Sequence, residues 1–227
     1  GGLRAELFDT QSEYGASAVD ALADGEISFA QANAVLPFLN DLALATMTGE
    51  QLKSVLEEQW QRDANGNKPS RSYLQLGLSD NASYTYDPDL PEGERITGIV
   101  LDGQFVTDEQ IIKVATFSFL AAGGDNFHTF AEAEVFNTGY LDWKAWVDYL
   151  AANEGAEPSF ARRSVQLSAL PEAVEAGSEL SFDVAKLDLT SQGSPANEQL
   201  QVYLGSQLLD EVAVVNGTAT VQLTVPS

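Results

Sequence analysis

Cysteine is absent from the 227 residues, and histidine occurs once, at His128. The first absence excludes disulfides, thiolate metal sites and a cysteine nucleophile, and leaves the compartment open. The second excludes a histidine-rich metal centre built from this chain alone. Basic residues are scarce: 11 Lys and Arg stand against 34 Asp and Glu, a net charge of −23. Phosphate backbones are gripped by clustered Lys and Arg, so this balance argues against a nucleic-acid polymer as partner. Its plain reading is solubility. Nothing approaches 18 consecutive apolar residues, so no membrane span is expected. No basic-then-apolar leader and no initiator Met open the chain, which reads as a piece of something longer.

What is present is ordinary globular material, 44% hydrophobic and long enough for one or two domains. Three segments share a helix-start pattern: Ser28-Phe-Ala-Gln31, Thr48-Gly-Glu-Gln51 and Thr107-Asp-Glu-Gln110. In each, a hydroxyl and a Gln three residues later can satisfy two orphan backbone donors reciprocally. After Thr48, the residues Leu52, Val55, Leu56 and Trp60 recur at helical spacing, which predicts a helix over 49–62. The first start predicts a short helix ending before Pro37. The third is ambiguous, because Ile112, Val114 and Thr116 also alternate as in a strand. Trp146, Val147 and Leu150 predict a last helix near 142–152. Strand patterns fall at Leu74–Leu78, Tyr84–Tyr86 and Ile96–Val106, the last carrying the hairpin dipeptide Asp102-Gly103.

Residues 153–163 are polar, with Gly155 and Pro158, and read as a linker. Beyond them the pattern changes to strands alone: Val165–Leu167, Leu180–Leu189, Leu200–Leu204, Leu208–Val215 and Thr218–Val225. Asn216-Gly217 marks a second hairpin. The expected fold class is therefore α+β: a mixed α/β domain over 1–152, then a small all-β Ig-like sandwich over 164–227. A full sandwich has about seven strands, and five or six are visible, so the module is expected to be truncated.

Several short blocks carry more than any single residue in them. They are Gly-Gly-Leu-Arg at 1–4, Gly-Glu-Ile-Ser at 25–28, Leu-Pro-Phe-Leu-Asn at 36–40, Thr-Gly-Glu-Gln-Leu at 48–52, Tyr-Leu-Gln-Leu-Gly at 73–77 and Phe-Leu-Ala-Ala-Gly-Gly-Asp-Asn-Phe at 119–127. Taken singly, Phe38 and Phe119 read as core, and Gly123-Gly124-Asp125 as a turn. Taken in order, the blocks resemble the C-terminal domain of the 5'-nucleotidase family, which includes UDP-sugar hydrolases. The resemblance covers about residues 1–150, and the last block is the most diagnostic.

The resemblance implies a nucleotide or nucleoside as small-molecule partner. It implies that Phe38 and Phe119 sandwich the base, where stacking is worth about 1–3 kcal/mol per base. It makes Asp125 the acceptor for ribose hydroxyls and Arg4 a contact to phosphate or ribose. Asn40 is left for the base edge, and Gly124 for close approach of backbone to ligand. His128 reads as a loop residue at the pocket rim. The resemblance also implies an N-terminal metallophosphoesterase domain, where two divalent metal ions would activate water. No catalytic residue, metal or cofactor is assigned to this chain, which by itself is expected to be inactive. Two rival readings stay open: a non-catalytic nucleoside-binding module, and a cell-surface structural protein whose strand-rich module does the work. The appended module suggests an exported or surface-attached protein of a Gram-positive bacterium. The preferred nucleotide is not legible.

Overall fold

Both hydroxyl–glutamine starts at Ser28 and Thr48 fold as capping boxes. Ser28 accepts from the Gln31 N–H while the Gln31 side chain accepts from the Ser28 N–H, and Thr48 and Gln51 repeat the exchange. In the computed structural model, which describes residues 3–8, 25–168, 170–171, 173–191 and 193–226, these caps open helix α1 (Phe29–Val35) and helix α2 (Gly49–Glu57). Gly1 and Gly2 of the first block lie outside the described residues. The third start caps no helix of its own. The Asp108 and Gln110 carbonyls instead accept from the Glu50 and Gly49 N–H groups, the orphan donors at the start of α2. The residues after it form strand β5 (Ile111–Phe117), so period-two alternation prevails over the helix signal.

By their contacts the described residues divide into two units, 1–76 with 108–157, and 77–107 with 158–227. In the first unit, a three-stranded antiparallel sheet has β1 (Asp41–Thr48) at its centre, flanked by β5 and by β6 (Glu134–Leu141). Neither β1 nor β6 is marked by the sequence pattern. Between β5 and β6 lie the four-residue helix α3 (Ser118–Ala121) and two 3-10 segments, Gly124–Asn126 and His128–Glu132. Helix α4 (Asp142–Ala152) follows β6 and agrees with the predicted 142–152. Its Trp146 donates to the Ala32 carbonyl of α1 at 3.1 Å, and Trp143 meets Phe29 edge-on at 5.9 Å. The unit's core gathers Ala45, Met47, Val55, Leu74, Phe127 and Phe130.

Helix α2 stops at Glu57, short of the predicted residue 62. Gln59 is fully buried and turns back: its Nε2 donates to the Leu56 carbonyl, and its Oε1 accepts from the Leu76 N–H. Trp60 then pairs as an isolated bridge with Tyr73, their rings 5.3 Å apart. The same bonds replace the strand predicted at 74–78. Leu74 and Leu76 are tied to the backbone and side chain of Gln59 rather than to a ladder.

The second unit is built on β2 (Ala82–Tyr86), β3 (Ile96–Leu101), β4 (Gln104–Phe105), β7 (Ser164–Ser168), β8 (Glu179–Ala185) and β11 (Ala219–Thr224). They form a six-stranded sheet, ordered β11-β8-β7-β2-β3-β4. The segment 77–107, which the sequence pattern gives to the first domain, belongs here because β2 pairs in parallel with β7, with Tyr84 opposite Ser164. The remaining strands, β9 (Gln199–Leu204) and β10 (Gln207–Ala213), form a separate two-stranded ribbon. Both dipeptides fold as two-residue turns with positive φ at both residues, 51° and 76° at Asp102-Gly103, which joins β3 to β4 as a hairpin, and 53° and 70° at Asn216-Gly217, which closes only an isolated Val215–Thr218 bridge between strands of different sheets. Residues 153–163 contain no helix or strand.

Candidate functional site

The register of the β1/β5 ladder decides where the two phenylalanines stand. Leu42 pairs with Phe117, and one step further the Asp41 N–H donates to the Ser118 hydroxyl at 3.2 Å. The segment Phe38–Asn40 therefore enters β1 at the same end of the ladder where Ser118–Phe119 leaves β5. Eighty-one residues apart in number, both aromatics are attached to one end of one sheet.

Phe38 is half-buried, and the Arg4 guanidinium lies over its ring, 5.0 Å from the centroid. Arg4 is held there from its backbone, whose N–H donates to the Val35 carbonyl at the end of α1. A guanidinium over an aromatic face is attracted by the ring quadrupole. Asn40 is committed to the scaffold. Its Nδ2 donates to Asp142 Oδ2 at 2.9 Å, and its backbone carbonyl accepts from the Asp142 N–H at 2.9 Å. Asp142 is buried, and its other oxygen accepts from the Trp143 N–H. This pair fixes the start of α4 beside the Phe38–Asn40 segment.

Phe119 sits on α3 and is 50% exposed, unlike a core ring. It leans on Gly124: a Cβ there would fall 2.5 Å from the Phe119 carbonyl and 2.6 Å from two ring carbons. Glycine is thus required by close approach to Phe119. Gly123, at φ 82°, ends α3, and Asp125 and Asn126 follow at φ 53° and 60°. Two successive non-glycine residues with positive φ are uncommon, though Asn and Asp tolerate that region best. Phe127 next in line is fully buried and anchors the loop in the core. His128 opens the second 3-10 segment and is exposed.

Two residues at and beyond the end of α2 reach this loop. Gln61 Oε1 accepts from Asn126 Nδ2 at 2.9 Å. Glu58 Oε1 accepts from the Thr129 N–H at 3.0 Å and from its hydroxyl at 2.9 Å. Sequence reasoning gave no role to Glu58, Gln61, Asn126 or Thr129. The run Gly-Gly-Asp-Asn was the available signal, since all four tolerate left-handed backbone. Burial holds the Glu58 carboxyl above its ordinary pKa, outweighing the Thr129 bonds and the neighbouring His128, which favour the anion. A raised folded-state value stabilises the fold below the unfolded value, and that benefit is lost as pH rises through the folded one. Glu58→Gln keeps the acceptor oxygen without the desolvated charge. It should melt above the parent at pH 7, with the gap closing below the ordinary glutamate pKa. An equal gap at both pH values would contradict the burial account.

The structure thus brings together Arg4 with Phe38, and Phe119 with Gly124 and Asp125, at one end of the β1/β5 ladder, while Asn40 serves Asp142. A separate cleft of about 450 Å³ lies in the second unit, lined by Asp80, Asn81, Asp102, Arg162 and Arg163 among others, and contains none of these six. Its two carboxylates offset its two arginines.

The sequence pattern of the family described as 5'-nucleotidase, C-terminal domain, matches residues 11–132, more than half of the chain. The trifunctional nucleotide phosphoesterase protein YfkN of Bacillus subtilis is 28% identical over 132 residues, covering 56% of this chain and 9% of that one. The cell wall protein Lmo0130 of Listeria monocytogenes is 29% identical over 139 residues, covering 60% of this chain and 17% of its own length. This chain therefore spans a small fraction of either relative. Among solved structures, a 5'-nucleotidase precursor from Thermus thermophilus superposes with a TM-score of 0.52 at 24% identity, over 63% of this chain and 28% of that one. That likeness is one of fold.

Proposed function

Because the chain belongs to the 5'-nucleotidase C-terminal domain family, we propose that its first unit is the nucleotide-recognition part of a phosphoesterase. The carrying observation is the attachment of Phe38 and Phe119 to the same end of the β1/β5 ladder, with Arg4 over the Phe38 ring and Asp125 next in the chain to Gly124, which meets Phe119. A base stacks between the two rings, Asp125 accepts from the ribose hydroxyls, and Arg4 meets the phosphate or ribose. Asn40, whose Nδ2 donates to Asp142, offers the base edge its side-chain Oδ1. The phosphoesterase relative in Bacillus subtilis supports this reading.

Phosphoryl chemistry belongs to a metallophosphoesterase domain outside this chain. Among the described residues no three His, Cys, Asp or Glu side chains gather around a point that could hold a metal ion. The second unit, in which β7, β8 and β11 share a sheet with β2, β3 and β4, acts as a spacer, and the cell-wall relative favours an exported, surface-attached bacterial protein. That relative also gives weight to a second reading, a nucleoside-binding module without catalysis. Among the described residues no helix is long and apolar enough to cross a membrane.

Titrating the ¹⁵N-labelled chain with adenosine tests the site. Two stacked faces at about 1–3 kcal/mol each, less the loss of translational freedom, leave a dissociation constant on the order of millimolar. Alanine at Phe38 or Phe119 should erase the adenosine-induced shifts. Phe119→Ala should lower stability by only roughly 1 kcal/mol, since half its ring is already exposed. If the parent shows no shifts and both variants melt far below it, the rings are core and the site is misassigned.

A further inference from the structure

We propose that Gln61 is a positioning residue for ribose recognition: it holds the Asp125–Asn126 backbone in its left-handed form, so that the Asp125 carboxylate is presented ready-made. The ribose clause rests on the nucleotide reading above. The holding role rests on geometry alone.

Asp125 and Asn126 stand at φ 53° and 60° in succession. Each such residue raises the energy of the loop, so the conformation persists only where surrounding structure fixes it. Part of that fixing comes from outside the loop. Gln61 is 4% exposed, and its side chain is spanned by two bonds: Nε2 donates to the Glu58 carbonyl at 2.8 Å, and Oε1 accepts from Asn126 Nδ2 at 2.9 Å. Its amide is therefore oriented from the end of α2 and pointed at the second left-handed residue. Glu58 binds Thr129 on the far side of Phe127, whose ring is fully buried. The loop is pinned at Asn126, Phe127 and Thr129, and Asp125 is the residue before the first pin. A carboxylate set this way needs no reordering when a diol arrives, and apparent affinity scales with the fraction of molecules already competent.

The test uses the full ¹⁵N-labelled chain and its Gln61→Met and Asn126→Gly variants. The intraresidue amide-to-Hα NOEs of residues 125 and 126, strong only where φ is positive, report the backbone, and adenosine is the ligand probe. In the parent both residues should show strong intraresidue NOEs. In Gln61→Met those NOEs should weaken, and adenosine should bind about tenfold more weakly, as a tenfold drop in competent population demands. Asn126→Gly breaks the same bond from the loop side, and the Asp125 NOE should weaken there too; it decides the matter if Gln61→Met does not fold. Unchanged NOEs in folded Gln61→Met or Asn126→Gly overturn the proposal. Absence of adenosine shifts in the parent overturns the nucleotide reading, while the NOEs still judge the clamp.

Discussion

Replacing Phe127 by alanine should cost the first unit about 3–5 kcal/mol, the range for deleting a buried phenylalanine ring. Phe127 is fully buried and shares the unit's core with Ala45, Met47, Val55, Leu74 and Phe130. Domains of this size have only about 5–15 kcal/mol in total, so the loss removes a large share. The melting transition should fall by on the order of 10 °C or more. All three tryptophans, Trp60, Trp143 and Trp146, belong to the first unit, so tryptophan fluorescence isolates its unfolding. The informative comparison is Phe119→Ala. The two phenylalanines bracket one nine-residue block, and the structure gives them opposite duties, one sealed in the core and the other half in solvent. Phe127→Ala should collapse stability, and Phe119→Ala should leave it nearly intact. Equal losses in the two would refute the division.

Why one block holds both duties bears on what the sequence could reveal. Capping boxes are local, so Ser28 and Thr48 were legible from four residues each. So were the tight turns at Asp102-Gly103 and Asn216-Gly217, where the dipeptide suits two positive φ angles, though only the first joins two paired strands. Strand β1 was not. Its residues Asp41–Thr48 show no clean apolar-polar alternation, and what makes them a strand is pairing with β5 and β6, sixty and more residues away. The hairpin of 77–107 shows the same limit at larger scale. Its pattern was read correctly, but its sheet is set by the parallel pairing of β2 with β7, which no local signal announces. For the candidate site, the ordered blocks named Phe38, Phe119, Gly124 and Asp125, and the ladder register explains how two of them come to one end of the sheet. The supporting residues were silent, because Gln59 and Gln61 look like surface glutamines at a helix end. Their burial follows from where the chain turns, and that is a tertiary fact.

Gly124 offers the sharpest probe of how this loop and Phe119 fit together. Gly124→Ala should destabilise the first unit by about 1–3 kcal/mol, as forced overpacking does, and should erase adenosine binding. The added Cβ would fall 2.5 Å from the Phe119 carbonyl oxygen and 2.6 Å from two carbons of its ring. A ring can rotate away, but a backbone carbonyl in α3 moves only with its helix, so the conflict has no cheap escape. Either the ring leaves its place or the loop carrying Asp125 lifts from α3, and both outcomes break the clamp. Combining the change with Phe119→Ala separates the two contributions. The double variant removes the ring conflict and keeps the carbonyl conflict, so its cost should fall below the sum of the single costs, the signature of residues in direct contact. Additive costs would mean that the ring and the glycine do not meet. A Gly124→Ala protein with parental melting and parental adenosine shifts would mean that the loop does not lie against Phe119 at all.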